Sequence, residues 1–283
     1  GGYRKRRSGM STSIENVHIE TFKNGSKTYF NSSRFFPEEV RNDVYILYGF
    51  VRKADNFIDK IPSDMGGFYR FKDRYRKALA GRPAGDIIID SFVELTRRKV
   101  FEPAWADAFI ASMEMDLFKS MYDTIEETLE YIYGSAEVIG LFMARLMELP
   151  EEAFYPARML GRSMQYINFI RDISEDLALG RRYLPLTGTP LESLDEGTVY
   201  TDPEGFDTFM RIHLQKYREW QHQAEEGFRY IPRRYRIPIK TASEMYTWTA
   251  EQIQEHPAIV FERKVKPARS RIIVQAIKNI IGV

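Results

Sequence analysis

The 283-residue chain contains no cysteine. That excludes a disulfide framework, thiolate catalysis, an iron–sulfur cluster and any cysteine-based zinc site. The four histidines, at positions 18, 213, 222 and 256, leave little for a histidine-based metal site. Charge of one sign is missing as well. The 41 Lys and Arg stand against 40 Asp and Glu, a net of +1, which speaks against a whole-surface nucleic-acid footprint. No apolar run approaches the roughly 18 residues that span a bilayer. Nor does a glycine-rich dinucleotide fingerprint follow any strand-like run. What is abundant is aromatic: 17 Tyr and 19 Phe bring the ring-bearing fraction to 14%. A chain so composed needs either a bulky core or a ring-lined cavity.

Gly1 to Gly9 carry four consecutive cations, Arg4-Lys5-Arg6-Arg7, without the apolar stretch of a secretory signal. This segment reads as a basic leader or expression remnant. Such a run also suits a membrane surface or a nucleic acid. Residues 10–283 read as a single all-α domain, larger than a four-helix bundle, with its longest helices in the middle of the chain. Pro37-Glu38-Glu39 suits a helix N-terminus. After it, Val40, Val44, Leu47, Tyr48, Val51 and Ile58 recur near the 3.6-residue period. Thr124-Ile125-Glu126-Glu127 reads as a capping box opening a helix that runs to Leu149, where Pro150 breaks it. A second long helix is expected from Glu151 to Leu179, stopped by Gly180. Prolines and glycines mark a connection from Arg181 to Gly205. Helical patterning resumes over 206–230, 239–255 and 269–281.

Two pairs of aspartates repeat one spacing. Asp55 and Asp59, and Asp172 and Asp176, each sit at i, i+4 and share a helix face one turn apart. Like charges so placed cost a helix roughly 0.2–0.5 kcal/mol per pair. A cation at i±3 or i±4 would be the local remedy. Asp55 has only Arg52 there; Asp59, Asp172 and Asp176 have none. One such pair is ordinarily a solvated face. Two, both in apolar helices, suggest carboxylates turned inward from facing helices toward a metal. Hard oxygen ligands select Mg²⁺, or alternatively Mn²⁺, and magnesium characteristically completes its shell with water and substrate phosphates. Arg52, Arg171, Arg181 and Arg182 stand near enough in sequence to serve phosphate oxygens. Asn168 continues the stripe of Asp172 and Asp176 one turn back, and Gln165 lies on a neighbouring stripe.

These residues resemble the squalene/phytoene synthase family of head-to-head isoprenoid synthases. The segment from Tyr48 to Asp59 is similar to the family's first acidic motif, and that from Asn168 to Asp176 to its second. Tyr131 to Gly140 resembles its tyrosine-containing small-residue motif, and Arg182-Tyr183-Leu184-Pro185 follows as in relatives. The resemblance runs from about Phe22 to Val274. It implies that Asp55, Asp59, Asp172 and Asp176, with Asn168, bind the Mg²⁺ that holds two prenyl diphosphates. Tyr48, Arg52 and Arg171 would contact diphosphate oxygens or position those ligands. Gln165 and Asn168 would line the intermediate site, and Tyr131 would be the active-site tyrosine. Ser26, Lys27 and Tyr29 would form an early diphosphate contact; Tyr246 and Arg263 would close over it. Asn56 and Glu137 depart from the family pattern, and Glu137 puts a charge where a glycine is usual.

The implied reaction is a Mg²⁺-dependent 1′–1 condensation of two farnesyl or geranylgeranyl diphosphates through a cyclopropylcarbinyl diphosphate. A carbocation survives only in a dry site, where aromatic faces can stabilise it. Candidates for that wall are Phe22, Tyr29, Phe30, Tyr45, Tyr48, Tyr131, Tyr133, Phe142 and Met143, against ordinary core packing for each. Hydride from NADPH would give a squalene-type product, and proton loss phytoene or dehydrosqualene; the residues leave both open. The partners implied are the prenyl diphosphates, with no nucleic acid and with peripheral membrane contact in the cytoplasm. The oligomeric state is left open. Chain elongation, terpene cyclisation and a non-catalytic assembly factor are the competing readings.

Overall fold

The computed structural model describes residues 36–282, together with Val17 and Glu20 from the preceding stretch. Ser26, Lys27 and Tyr29, and the wall candidates Phe22 and Phe30, lie outside the described residues. The helix labelled α1 (Glu38–Ile58) begins behind Pro37 with Glu38 and Glu39 in its first turn. Val40, Val44, Leu47, Phe50, Ala54 and Ile58 form its buried stripe. Three further helices, α2 (Met65–Leu79), α3 (Ile87–Arg98) and α4 (Pro103–Met115), close around that stripe. Aspartates start two of them. Asp64 accepts from the Gly67 amide at 2.8 Å, and Asp86 from those of Ile88 and Ile89. The rings meet here: Phe50 stacks on Phe92 at 3.8 Å between centroids, with Phe71 and Tyr75 each at 5.1 Å. Much of the aromatic excess is therefore core. Phe142 belongs to it as well, packed edge-on to Phe92 and Trp105.

The mid-chain segment is helical as expected but not uniform. Thr124 caps α5 (Ile125–Ile132) by accepting from the Glu127 amide at 3.3 Å. Glu127 reaches one residue further back than a capping box requires, accepting from the Asp123 amide. A π turn over Tyr133–Glu137 leads into α6 (Val138–Leu146). After Pro150, α7 (Phe154–Arg171) packs against this π turn with almost no space between backbones. A Cβ on Gly140 would stand 2.1 Å from the Ala157 carbonyl oxygen, and one on Gly161 2.3 Å from that of Ala136. Regular helical geometry is interrupted at Asp172, at φ −101° and ψ +13°, and α8 (Ile173–Ala178) follows directly and ends before Gly180 at φ +69°.

The expected long connection contains a four-residue helix, α9 (Thr198–Thr201), before α10 (Pro203–Glu225). The following helix, α11 (Arg233–Glu255), starts a turn and a half before its expected position and absorbs Pro238. Two short segments complete the chain, α12 (Ile259–Glu262) and α13 (Arg269–Gly282). Among the described residues, the longest helices are α10 and α11 at 23 residues each, toward the C-terminus rather than mid-chain. A second core joins α5, α7, α10 and α12 around Tyr131, Tyr166, Phe169 and Tyr183. The isolated bridge between Met121 and Arg182 ties the approach to α5 to the strap that follows α8.

Candidate active site

The last turns of α1 and the α7–α8 junction face each other across a polar cleft of about 1060 Å³. Arg52, Asp59, Asn168, Arg171, Asp172 and Asp176 line it. Asp55 sits one turn behind Asp59 and connects through Arg52, whose Nη1 is 3.1 Å from Asp59 Oδ2 and 3.9 Å from Asp55 Oδ2. Arg52 thus serves Asp59 from two turns away. Asp172 also finds cations that helical spacing does not offer. Arg171 forks onto its two oxygens at 2.8 and 2.6 Å, and Lys264 Nζ lies 3.2 Å away. The break in helical geometry at Asp172 is what lets adjacent side chains meet.

The electrostatics set Asp55 and Asp176 apart from Asp172. Burial raises both Asp55 and Asp176 to about 7, with their pair partners Asp59 and Asp172 adding to the shift. Arg52 and Arg181 only partly offset this. At Asp172, by contrast, burial is outweighed by Arg171 and Lys264, which hold the carboxyl below its ordinary range. Positive charge is crowded too: burial, Lys264 and Arg171 pull Lys266 below the usual lysine value. The cleft therefore combines an acid that burial leaves poorly compensated, Asp176, with the ion-paired Asp172 and the cations Arg171, Lys264 and Lys266.

These residues fit a hard divalent cation with an anionic ligand. The Asn168 side-chain oxygen is buried without a hydrogen-bond partner, a condition that costs about 1–3 kcal/mol unless something fills it. It lines the same cleft as Asp172 and Asp176. Among the described residues, no three acidic or histidine side chains form a ready-made ion cage. Oxygens from a ligand or from water would have to complete any coordination shell, as is usual for Mg²⁺.

Tyr131 is buried outside the lining of the cleft and donates to Asp116 Oδ2 at 2.7 Å. Tyr183 donates to the other oxygen of Asp116 at 2.8 Å and stacks on Phe169. Burial, reinforced by Asp116, keeps the Tyr131 phenol neutral by raising its pKa well above the ordinary value. Sequence reasoning missed Asp116, which caps the C-terminus of α4. A lone acid with Lys119 three residues on carries no spacing signal. Tyr183 was visible within its motif but had no role there.

Several expected residues stand elsewhere. Tyr48 lines a separate apolar cavity with Ala136, Gly140, Met143, Gly161 and Met164. Gln165 is half-buried and lines neither space. Tyr246 lines the polar cleft, but Arg263 is exposed and outside its lining; Lys264 and Lys266 take that edge. Tyr45 is core and Tyr133 lies beneath Arg158 at the surface. Glu137 does not line the apolar cavity. Its buried carboxylate is gripped by Arg158 at 2.9 Å and Arg162 at 2.7 Å, both from α7.

Comparison with known proteins bears on the whole arrangement. The family model described as squalene/phytoene synthase matches residues 22–271. The 15-cis-phytoene synthase of Pantoea ananas is 28% identical over 86% of this chain and 83% of its own. That of Synechocystis sp. is 26% identical over 84% and 76%. Among solved structures, a dehydrosqualene synthase in complex with ligand superposes with a TM-score of 0.84, at 20% identity over 96% of both chains. Squalene synthase from Alicyclobacillus acidocaldarius gives a TM-score of 0.77, at 19% identity over 86% of this chain and 94% of its own.

Proposed function

This chain belongs to the squalene/phytoene synthase family, and from that membership we propose that it is a prenyltransferase joining two prenyl diphosphates head to head. The observation that carries the proposal is the cleft itself. Asp59 from the end of α1 and Asp172 and Asp176 from the α7–α8 junction line one cleft together with the unpartnered Asn168 oxygen, Arg171, Lys264 and Lys266, and Asp55 stands one turn behind Asp59. Asp55, Asp59, Asn168, Asp172 and Asp176 would hold Mg²⁺, with Mn²⁺ as the alternative. When bound, the ion supplies neutralisation of a leaving diphosphate.

The chain's own groups do the rest. Arg52, Arg171, Arg181, Lys264 and Lys266 bind and orient diphosphate oxygens. Departure of one diphosphate leaves an allylic cation, which the double bond of the second substrate attacks. Proton loss then gives a cyclopropylcarbinyl diphosphate. Tyr131 presents a neutral phenol at a position set by Asp116. The apolar cavity beside Tyr48 and Gly161 shelters a prenyl chain and keeps water out. Departure of the second diphosphate and rearrangement of the cyclopropylcarbinyl cation give a 1′–1 linked cation, closed by proton loss to a phytoene- or dehydrosqualene-type hydrocarbon or by hydride from NADPH to a squalene-type one.

Incubation with farnesyl and with geranylgeranyl diphosphate, with and without NADPH, tests this reading. The expected products are 1′–1 linked hydrocarbons of twice the substrate length, absent when a chelator removes Mg²⁺. Exclusively 1′–4 linked diphosphates would make the protein a chain-elongating enzyme instead.

A further inference from the structure

The C-terminal helix α13 has two aliphatic faces: Ile272 and Ala276 are buried beneath it, and a second set of aliphatic side chains points outward. Its inner face, packed on α11, carries polar anchors: Asn279 donates to Thr241 Oγ1 at 3.1 Å and to Glu244 Oε2 at 2.6 Å, and Gln275 donates to the same Glu244 oxygen at 2.8 Å. Its outer face carries Ile273, Val274, Ile277, Ile280 and Ile281, between 43% and 80% exposed. At about 100° per residue these five span roughly 120° of the helix circumference, interrupted only by Ser270. The asparagine and glutamine contacts lock the helix about its own axis, so the aliphatic arc cannot roll inward.

Charge frames the arc. Arg269 flanks one edge, Arg271 and Lys278 the other, and α13 contains no acidic residue. Arg271 is steadied over the Trp248 ring at 4.7 Å. An apolar arc between two cationic borders matches a lipid–water interface, where the aliphatic side chains enter the acyl boundary and the cations meet anionic headgroups. Pairing with a second copy through the same face is disfavoured by this pattern. It would bring cationic borders together with no acid on α13 to receive them.

We infer that α13 docks the protein on the surface of an anionic lipid bilayer, lying in the interface without crossing it. No helix among the described residues is long and apolar enough to cross a membrane. The inference rests on α13 alone and is independent of the catalytic reading. Through α11 it has a structural consequence. Ile239 and Ala242 of that helix line the apolar cavity, while its neighbouring Thr241 and Glu244 hold α13. Docking would therefore set the cavity one helix away from the lipid.

The test is co-sedimentation of the full chain with vesicles of phosphatidylcholine alone, and with vesicles of phosphatidylcholine and phosphatidylglycerol in equal parts. Binding is expected to the mixed vesicles and to weaken with salt. Ile277→Asp should lower that binding by about tenfold or more, while Ile277→Leu keeps it. Should Ile277→Asp fail to fold, the double variant Arg269→Glu/Lys278→Glu, at two exposed borders, should remove the preference for the anionic vesicles. Far-UV circular dichroism and the melting temperature report folding. Binding unchanged in Ile277→Asp or in the double variant would overturn the inference, as would absence of binding by the wild type. A lipid-free dimer in sedimentation velocity that Ile277→Asp dissolves would assign the face to a second copy instead.

Discussion

Asp116 engages two phenols at once, Tyr131 and Tyr183, and its charge is felt at both Asp55 and Asp176. Burial raises its own pKa, and the two tyrosine hydrogen bonds resist that rise. It is a positioning residue: it reaches the proposed chemistry through Tyr131. Asp116→Asn keeps the shape and one acceptor but loses the charge, and by analogy with supporting partners elsewhere should lower kcat about 10–100-fold with little change in KM. Steady-state kinetics, with Tyr131→Phe as the companion variant, check this; equal loss in kcat/KM through KM alone would count against it. Asp172→Asn and Asp55→Asn should each abolish turnover while melting curves stay close to wild type. Inactivity accompanied by a collapse in stability would instead assign those carboxylates to the fold. The acid pairs were legible because i, i+4 repeats are local. Asp116 was not, since its partners lie 15 and 67 residues away. The ion pairs of Asp172 were hidden for a similar reason. Arg171 is adjacent, where a regular helix would separate the two, and Lys264 arrives from the far end of the chain.

At the scale of elements, the contact between α7 and the π turn decides how closely the tyrosine motif can approach the second acidic motif. Gly140 and Gly161 permit that contact, and Glu137 fastens it to Arg158 and Arg162. Gly161→Ala would force its methyl against the Ala136 carbonyl. The expected cost is about 1–3 kcal/mol, read as a lowered midpoint in denaturant unfolding. Glu137→Gln leaves two arginines facing a neutral amide. Because both guanidinium groups reach solvent in part, the loss should be about 1–3 kcal/mol. An unchanged midpoint in either variant would show that this contact is looser than its geometry implies. The sequence revealed that small residues cluster here, but not that Glu137 would be gripped from α7. Periodicity also located α1 closely, since its buried stripe is a single uninterrupted helix face. It misplaced the start of α11, because Pro238 ordinarily ends a helical pattern and here is carried inside one.

For the molecule as a whole, acid sensitivity should report His213. This side chain is buried and fully engaged, accepting from the Tyr166 hydroxyl at 2.6 Å and donating to the Pro185 carbonyl at 3.1 Å. It thereby pins the strap after α8 onto α10. Burial lowers its pKa from an ordinary 6.5 to about 3. Between those values the unfolded chain binds a proton that the folded protein refuses. Its contribution is therefore complete above about pH 6.5 and is lost progressively as pH falls toward 3. Unfolding midpoints across that window should fall less steeply in His213→Phe than in wild type; parallel slopes would clear His213 of the effect. Catalysis of the proposed kind requires the two acidic segments to act as one ion site that a diphosphate completes. Titration of Mn²⁺, followed by electron paramagnetic resonance with and without an unreactive farnesyl thiodiphosphate, measures that directly. Tight binding is predicted only when the analogue is present, and is predicted to disappear in Asp59→Asn and in Asp172→Asn separately. Mn²⁺ bound equally well without the analogue, or retained in both variants, would contradict the account.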